Sequence, residues 1–120
     1  MKEKFSFCKL FLLSLQNFVP IQKHMKILGI PLLVDYANRH PTSRAAIAKW
    51  KKRVEAAQWK NHAELKEMFP SADYISSQKF YVFNIGGNKT RLCAVVSFNA
   101  GMALVEWIGT HAEYSKKNFN

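Results

Sequence analysis

The sequence predicts an α+β domain, with N-terminal helices packed on an antiparallel sheet. Two textures predict it. Between Pro31 and Pro70 apolar residues recur at helical spacing, interrupted by prolines, whereas after Asp73 β-branched and aromatic residues alternate between glycine-bearing turns. A length of 120 residues holds one such succession, so a single core is expected.

Taken in order, Ile27 and Leu28 suit a short strand. Pro31 stands where a first helical turn tolerates it, and Leu33, Tyr36, Ala37 and His40 make one stripe of a helix that Pro41 must stop. Thr42 or Ser43 caps a second helix. Ile47, Trp50, Val54 and Ala57 fall on one side of it, and Arg44, Lys49, Lys52 and Arg53 on the other. Asn61 with Glu64 resembles a capping box, opening a short helix with Leu65, Met68 and Phe69 apolar and Pro70 as its stop. Three strands follow: Phe80 to Ile85, then the Gly86-Gly87-Asn88 turn; Thr90 to Phe98, then the Asn99-Ala100-Gly101 turn; and Ala103 to Ile108. On the middle strand Leu92, Ala94, Val96 and Phe98 share one face, and Arg91, Cys93, Val95 and Ser97 the other.

Charge narrows the partners. The chain carries 18 Lys and Arg against 8 Asp and Glu, a net charge of +10, and Met25 to Asn120 alone retains 14 against 7. The basic character therefore belongs to the domain, which excludes an acidic disordered tail and points to a polyanion. Cys8 and Cys93 are too few and too far apart for a disulfide scaffold or a zinc module, and a reducing cytoplasm suits them. The first 24 residues read differently from the rest. Lys9, Gln16 and Asn17 interrupt the apolar run before it could span a bilayer; Lys2 and Lys4 give it the basic start of a signal peptide, but no small-x-small cleavage site follows. The expected organisation is an extension over residues 1–24, disordered or loosely helical, and a domain over residues 25–120.

Two groups of polar residues carry chemistry. Lys89 and Arg91, two apart, point to the same side of a hairpin strand, as a phosphate clamp or as charges that protect a sheet edge. The segment from Gly109 to Lys117 gathers His111, Glu113, Tyr114, Lys116 and Lys117 at a strand end, as an acid/base site or as a local structural network with solubilising lysines. Histidines and cysteines lack metal-ligand spacing, and neither a Walker loop nor a nucleophile elbow is present. For Trp50, Phe69, Phe83 and Trp107 burial in the core explains the spacing better than base stacking does, and Tyr81 suits either role.

The string from Val82 to Leu92, VFNIGGNKTRL, followed by Gly109-Thr110-His111-Ala112-Glu113-Tyr114, resembles the HigB toxins of type II toxin–antitoxin modules. Trp59-Lys60, Ala63 to Lys66 and Phe69 to Asp73 extend the resemblance, which runs from Met25 to Lys117. It implies a RelE/ParE-like fold, ribosome-dependent cleavage of mRNA by attack of the 2′-hydroxyl on the adjacent phosphate without metal or other cofactor, and neutralisation by a cognate HigA-like antitoxin. Carried over by position, Lys89 and Arg91 are the phosphate clamp, His111 and Tyr114 the acid/base pair, and Asn84, Asn88, Lys116 and Lys117 contacts to RNA. A cytoplasmic protein with no membrane partner is implied as well. The competing expectations are a ParE-like gyrase inhibitor and a decayed toxin that only binds its antitoxin. Three positions depart from the family pattern: Thr90 stands where an aromatic ring is common, Glu106 where a basic residue is frequent, and Ser115 where an acidic one is usual.

Overall fold

The computed structural model describes residues 24–87 and 89–117. The extension expected over residues 1–24 lies outside them except for His24, and so does Asn88. Strand β1 (Lys26–Leu28) leads through Gly29 into α1 (Ile30–Arg39), and a 3-10 turn (Pro41–Ser43) leads into α2 (Arg44–Ala56) and α3 (His62–Met68). Strands β2 (Asp73–Ile75), β3 (Phe80–Ile85), β4 (Thr90–Ser97) and β5 (Met102–Thr110) follow, and α4 (His111–Ser115) ends the described chain.

The helices start and stop where local chemistry dictates. Gly29 caps α1 at φ 87°, and a Cβ there would sit 2.7 Å from the Val105 carbonyl, so glycine alone fits the passage from β1 into α1. Ser43 precedes α2, but its hydroxyl faces Thr90 Oγ1 at 3.4 Å and does not cap the helix. At α3 the expected capping box is half made: Asn61 Oδ1 accepts from the Glu64 N–H at 3.0 Å, while the Glu64 carboxylate accepts from the Lys60 N–H at 2.8 Å. Asn61 has an extended backbone, and the Glu64 side chain reaches one residue beyond it.

The sheet order is β1-β5-β4-β3-β2. Neighbours from β5 to β2 are antiparallel and β1 joins β5 in parallel, with Ile27 opposite Ala103. Two features exceed the three-strand meander read from sequence: the three-residue β2, and the parallel edge that β1 supplies. Gly86 and Gly87 turn the β3–β4 hairpin with φ of 64° and 71°. Alternation then sorts the strands into two faces. Tyr81, Phe83, Ile85, Leu92, Ala94, Ala103 and Val105 meet Leu33, Tyr36, Ile47, Trp50, Val54 and Leu65 of the helices in one buried cluster. Edge-to-face contacts of Trp50 with Phe83 at 5.4 Å and of Phe69 with Phe83 at 5.1 Å lock its centre. Tyr81 is resolved as core: it is 4% exposed, and its hydroxyl pairs with His62 Nδ1 at 2.8 Å.

The second face is not covered by α1–α3. Phe80, Val82 and Cys93 form a smaller cluster there with Ile75, Val95, Trp107 and Tyr114. Cys93 pairs with Trp107 but Ala94 with Val105, so Glu106 is the extra residue of a β-bulge on this side.

Candidate active site

One end of the second face is built by the exit of the β3–β4 hairpin, the last residues of β5 and the helical turn α4. Register places Asn84, Arg91 and Gly109 in one cross-strand row. Thr90 points the opposite way, 1% exposed, its hydroxyl 3.3 Å from Tyr36 Oη and 3.4 Å from Ser43 Oγ. Position 90 therefore faces the helix layer, and Arg91 next to it faces the second side. Arg91 is 8% exposed, its guanidinium 6.0 Å from the centre of the Tyr114 ring. Asn84 is exposed beside it.

The segment after β5 is not a continuation of a strand end. Thr110 opens α4 with a full capping box: its hydroxyl accepts from the Glu113 N–H at 3.1 Å, and the Glu113 carboxylate accepts from the Thr110 N–H at 2.9 Å. That backbone N–H is the main reason the Glu113 carboxyl sits below its ordinary pKa, with the charges of His40 and Arg39 adding to it. The sequence signal was the pattern Thr-x-x-Glu, three residues apart. Its consequence is geometric. His111 and Tyr114, three apart on a helical turn, become side-by-side neighbours, which in extended chain they are not.

A main-chain bond fastens this turn to the hairpin: the His111 N–H donates to the Lys89 carbonyl at 2.9 Å. Lys89 and His111 are thus brought together through their backbones, and Arg91 and Tyr114 through their side chains. Both Lys89 and His111 are exposed, while Tyr114 is half-buried. Burial raises the Tyr114 phenol above its usual pKa; Cys93 and Asp73 push the same way and Arg91 opposes them. Asp73, at the head of β2, is a member of this neighbourhood that sequence reading missed, because its strand was too short to place. Burial also pushes the Cys93 thiol up to about 12, Lys117 opposing and Glu106 adding. Lys117 lies lower on the same side, its Nζ 5.0 Å from the Trp107 ring, and Lys116 is exposed at the end of α4. Gly109 completes the floor. A Cβ there would lie 2.5 Å from Trp107 Cη2 and 2.8 Å from Glu113 Oε1, so the indole and the capping carboxylate both rest on the missing side chain. Among the described residues no group of three or more His, Cys, Asp and Glu is placed to hold a metal ion.

The arrangement brings the Arg91 and Tyr114 side chains together next to the joined backbones of Lys89 and His111. Comparison with known proteins gives the family. A family model described as HigB toxin, RelE-like toxic component of a toxin–antitoxin system, matches residues 43–117, a span that takes in the hairpin and α4. The chain belongs to the HigB toxin family. It is 31% identical over 91 residues to the mRNA interferase toxin HigB of Escherichia coli K12, covering 75% of this chain and 88% of that protein. The mRNA interferase HigB of Shigella flexneri gives the same figures, and that of Escherichia coli O6:H1 is 27% identical over 93 residues, covering 77% of this chain and 90% of the relative. As a HigB toxin the chain is one half of a toxin–antitoxin pair, and among its described residues no helix is long and apolar enough to cross a membrane.

Proposed function

We propose that this HigB toxin is a ribosome-dependent mRNA endonuclease that works by attack of a 2′-hydroxyl on the adjacent phosphate. The observation that carries the reading is the fastening of α4 to the hairpin, which sets His111 beside Lys89 and Tyr114 beside Arg91. His111, exposed at the start of α4, takes the proton of the 2′-hydroxyl. The 2′-oxygen bonds to phosphorus while the bond from phosphorus to the 5′-oxygen breaks, leaving a 2′,3′-cyclic phosphate. Tyr114, kept protonated by its burial, gives its proton to the departing 5′-oxygen. Arg91 and Lys89 face the phosphate as negative charge builds on it, a service worth roughly 3–4 kcal/mol of barrier per well-placed donor in comparable sites. No step in this scheme calls for a metal.

Asn84, Asn88, Lys116 and Lys117 hold the RNA backbone around that phosphate. In-line orientation of the message comes from the ribosome, which restricts the chain before the toxin meets it. The antitoxin covers the basic surface through charge complementarity, and the ribosomal target places the protein in the cytoplasm. The test is to add purified protein to translating ribosomes and map message ends. Wild type produces cuts that Arg91→Ala and His111→Ala lack. Intact messages with inhibited DNA supercoiling, or with no growth arrest on induced expression, would overturn the proposal.

A further inference from the structure

We infer that a groove on the outer side of the hairpin is a second nucleotide subsite, receiving a residue of the RNA that flanks the cleaved bond; this rests on the endonuclease reading above. The groove, about 350 Å³, lies between α2, the end of α3 and the hairpin turn. Lys49 and Arg53 form one wall, Phe69 and Trp50 line it with Ser71, and Asn84 with Gly86 and Gly87 forms the other wall.

Three observations join this groove to the cleavage corner. Asn84 belongs to both: it lines the groove and stands directly across from Arg91 in the sheet, about 5 Å away between backbones. A strand of RNA whose phosphate meets Arg91 therefore reaches the groove within about one nucleotide. Strand β2 pairs with β3 only from Phe80 to Val82, so among the described residues no strand pairs with Asn84 and Ile85 on that edge, and the groove lies there between them and Phe69, Pro70 and Ser71. The cations are also of the right kind. The Arg53 guanidinium is held in place by donating to the Met68 carbonyl at 2.8 Å and lying 4.4 Å from the Phe69 ring centre, which presents a fixed plane to a base as well as a charge to a phosphate. Lys49, exposed four residues earlier on α2, adds a mobile charge beside it. An acidic protein segment would use the charges but not the guanidinium plane, and it would have no reason to continue toward Arg91.

The experiment measures binding of a ladder of short oligoribonucleotides, 2′-O-methylated so that they resist cleavage, to wild type, Lys49→Glu and Arg53→Ala. For wild type, affinity rises at the ladder step that reaches the groove. For the two variants that step vanishes, with the longest RNA bound at least about fivefold more weakly, and for Lys49→Glu the dependence of log affinity on log salt falls by about 0.7. Lys49→Glu makes the test independent of any folding defect caused by losing the Arg53 contacts. Equal binding of the whole ladder by wild type and Lys49→Glu would refute the subsite, and so would unchanged RNA binding together with lost binding of the co-expressed antitoxin, which would mark the groove as a protein-docking surface. Failure of the endonuclease reading registers separately, as wild-type protein leaving ribosomal messages uncut whatever the ladder shows.

Discussion

Replacing Gly109 with alanine tests whether the floor of the corner is as tight as its geometry states. The added Cβ would meet Trp107 Cη2 at 2.5 Å and Cζ2 at 2.6 Å, about 1 Å short of an ordinary carbon contact of ~3.5 Å. The indole cannot swing away freely, because Tyr114 packs 6.3 Å from it and Lys117 lies over it at 5.0 Å. Both neighbours must give: the indole shifts, at about 1–3 kcal/mol for an overpacked site, and Glu113 withdraws so that the capping box opens, at about 1 kcal/mol. We expect Gly109→Ala to lose about 2–3 kcal/mol in urea unfolding followed by tryptophan fluorescence, the sum of moderate values for the two effects. Adding Trp107→Leu should return part of it by vacating the space. A Gly109→Ala protein within about 0.5 kcal/mol of wild type, the scatter of innocuous substitutions, would refute the reasoning. So would a double variant no more stable than the single one.

The Tyr114→Phe variant should lose about 10²–10⁴-fold in message cleavage while binding RNA as before, since the phenol acts only when the bond breaks; weakened binding with an unchanged rate on bound message would remove Tyr114 from the acid role. A general acid must be protonated and this phenol is raised, so wild-type cleavage should not fall on its account until pH exceeds the usual tyrosine range. Glu113 titrates lower in the folded chain than in the unfolded one, so its stabilising contribution is full above the ordinary glutamate pKa and disappears as pH falls through the depressed value. Acid titration of stability should be shallower in Glu113→Gln across that window, and identical curves would deny the cap. The native Cys93 thiol, with its pKa pushed up to about 12 and no exposed surface, should resist iodoacetamide at pH 8 until the chain unfolds; prompt labelling would contradict the packing of the second face.

Much of this architecture was legible because the local signals and the tertiary environment agree. Pro31 and Pro41 bracket α1, and the Leu33 and Tyr36 stripe is the buried one, because a helix exposes its period directly in sequence. Phe80 to Ile85 was placed to the residue, between a loop and two glycines. What escaped was short or non-local. Strand β2 has only three residues, and β1 pairs in parallel with a partner more than seventy positions away, which no local pattern encodes. The residues proposed for chemistry were visible as types, but their grouping was not. Reading Gly109 to Tyr114 as the end of a strand hides the turn that sets His111 beside Tyr114, although Thr110 and Glu113 signal it. Asp73 and the Asn84 groove depend on which elements become neighbours. Thr90 shows the reverse case: in sequence it stands between two residues proposed for the site, yet alternation along β4 sends it away from the corner, to Tyr36 and Ser43.

The contact between the Lys89 carbonyl and the His111 amide involves no side-chain atom. The joint is consequently indifferent to what is mounted on either residue, so the chemical groups at positions 89 and 111 can be exchanged by mutation without unfastening the frame that aims them. A joint of this kind separates aiming from reactivity, and on the function proposed above a His111→Ala variant should remain a faithful mould of the toxin, fit to capture its antitoxin intact.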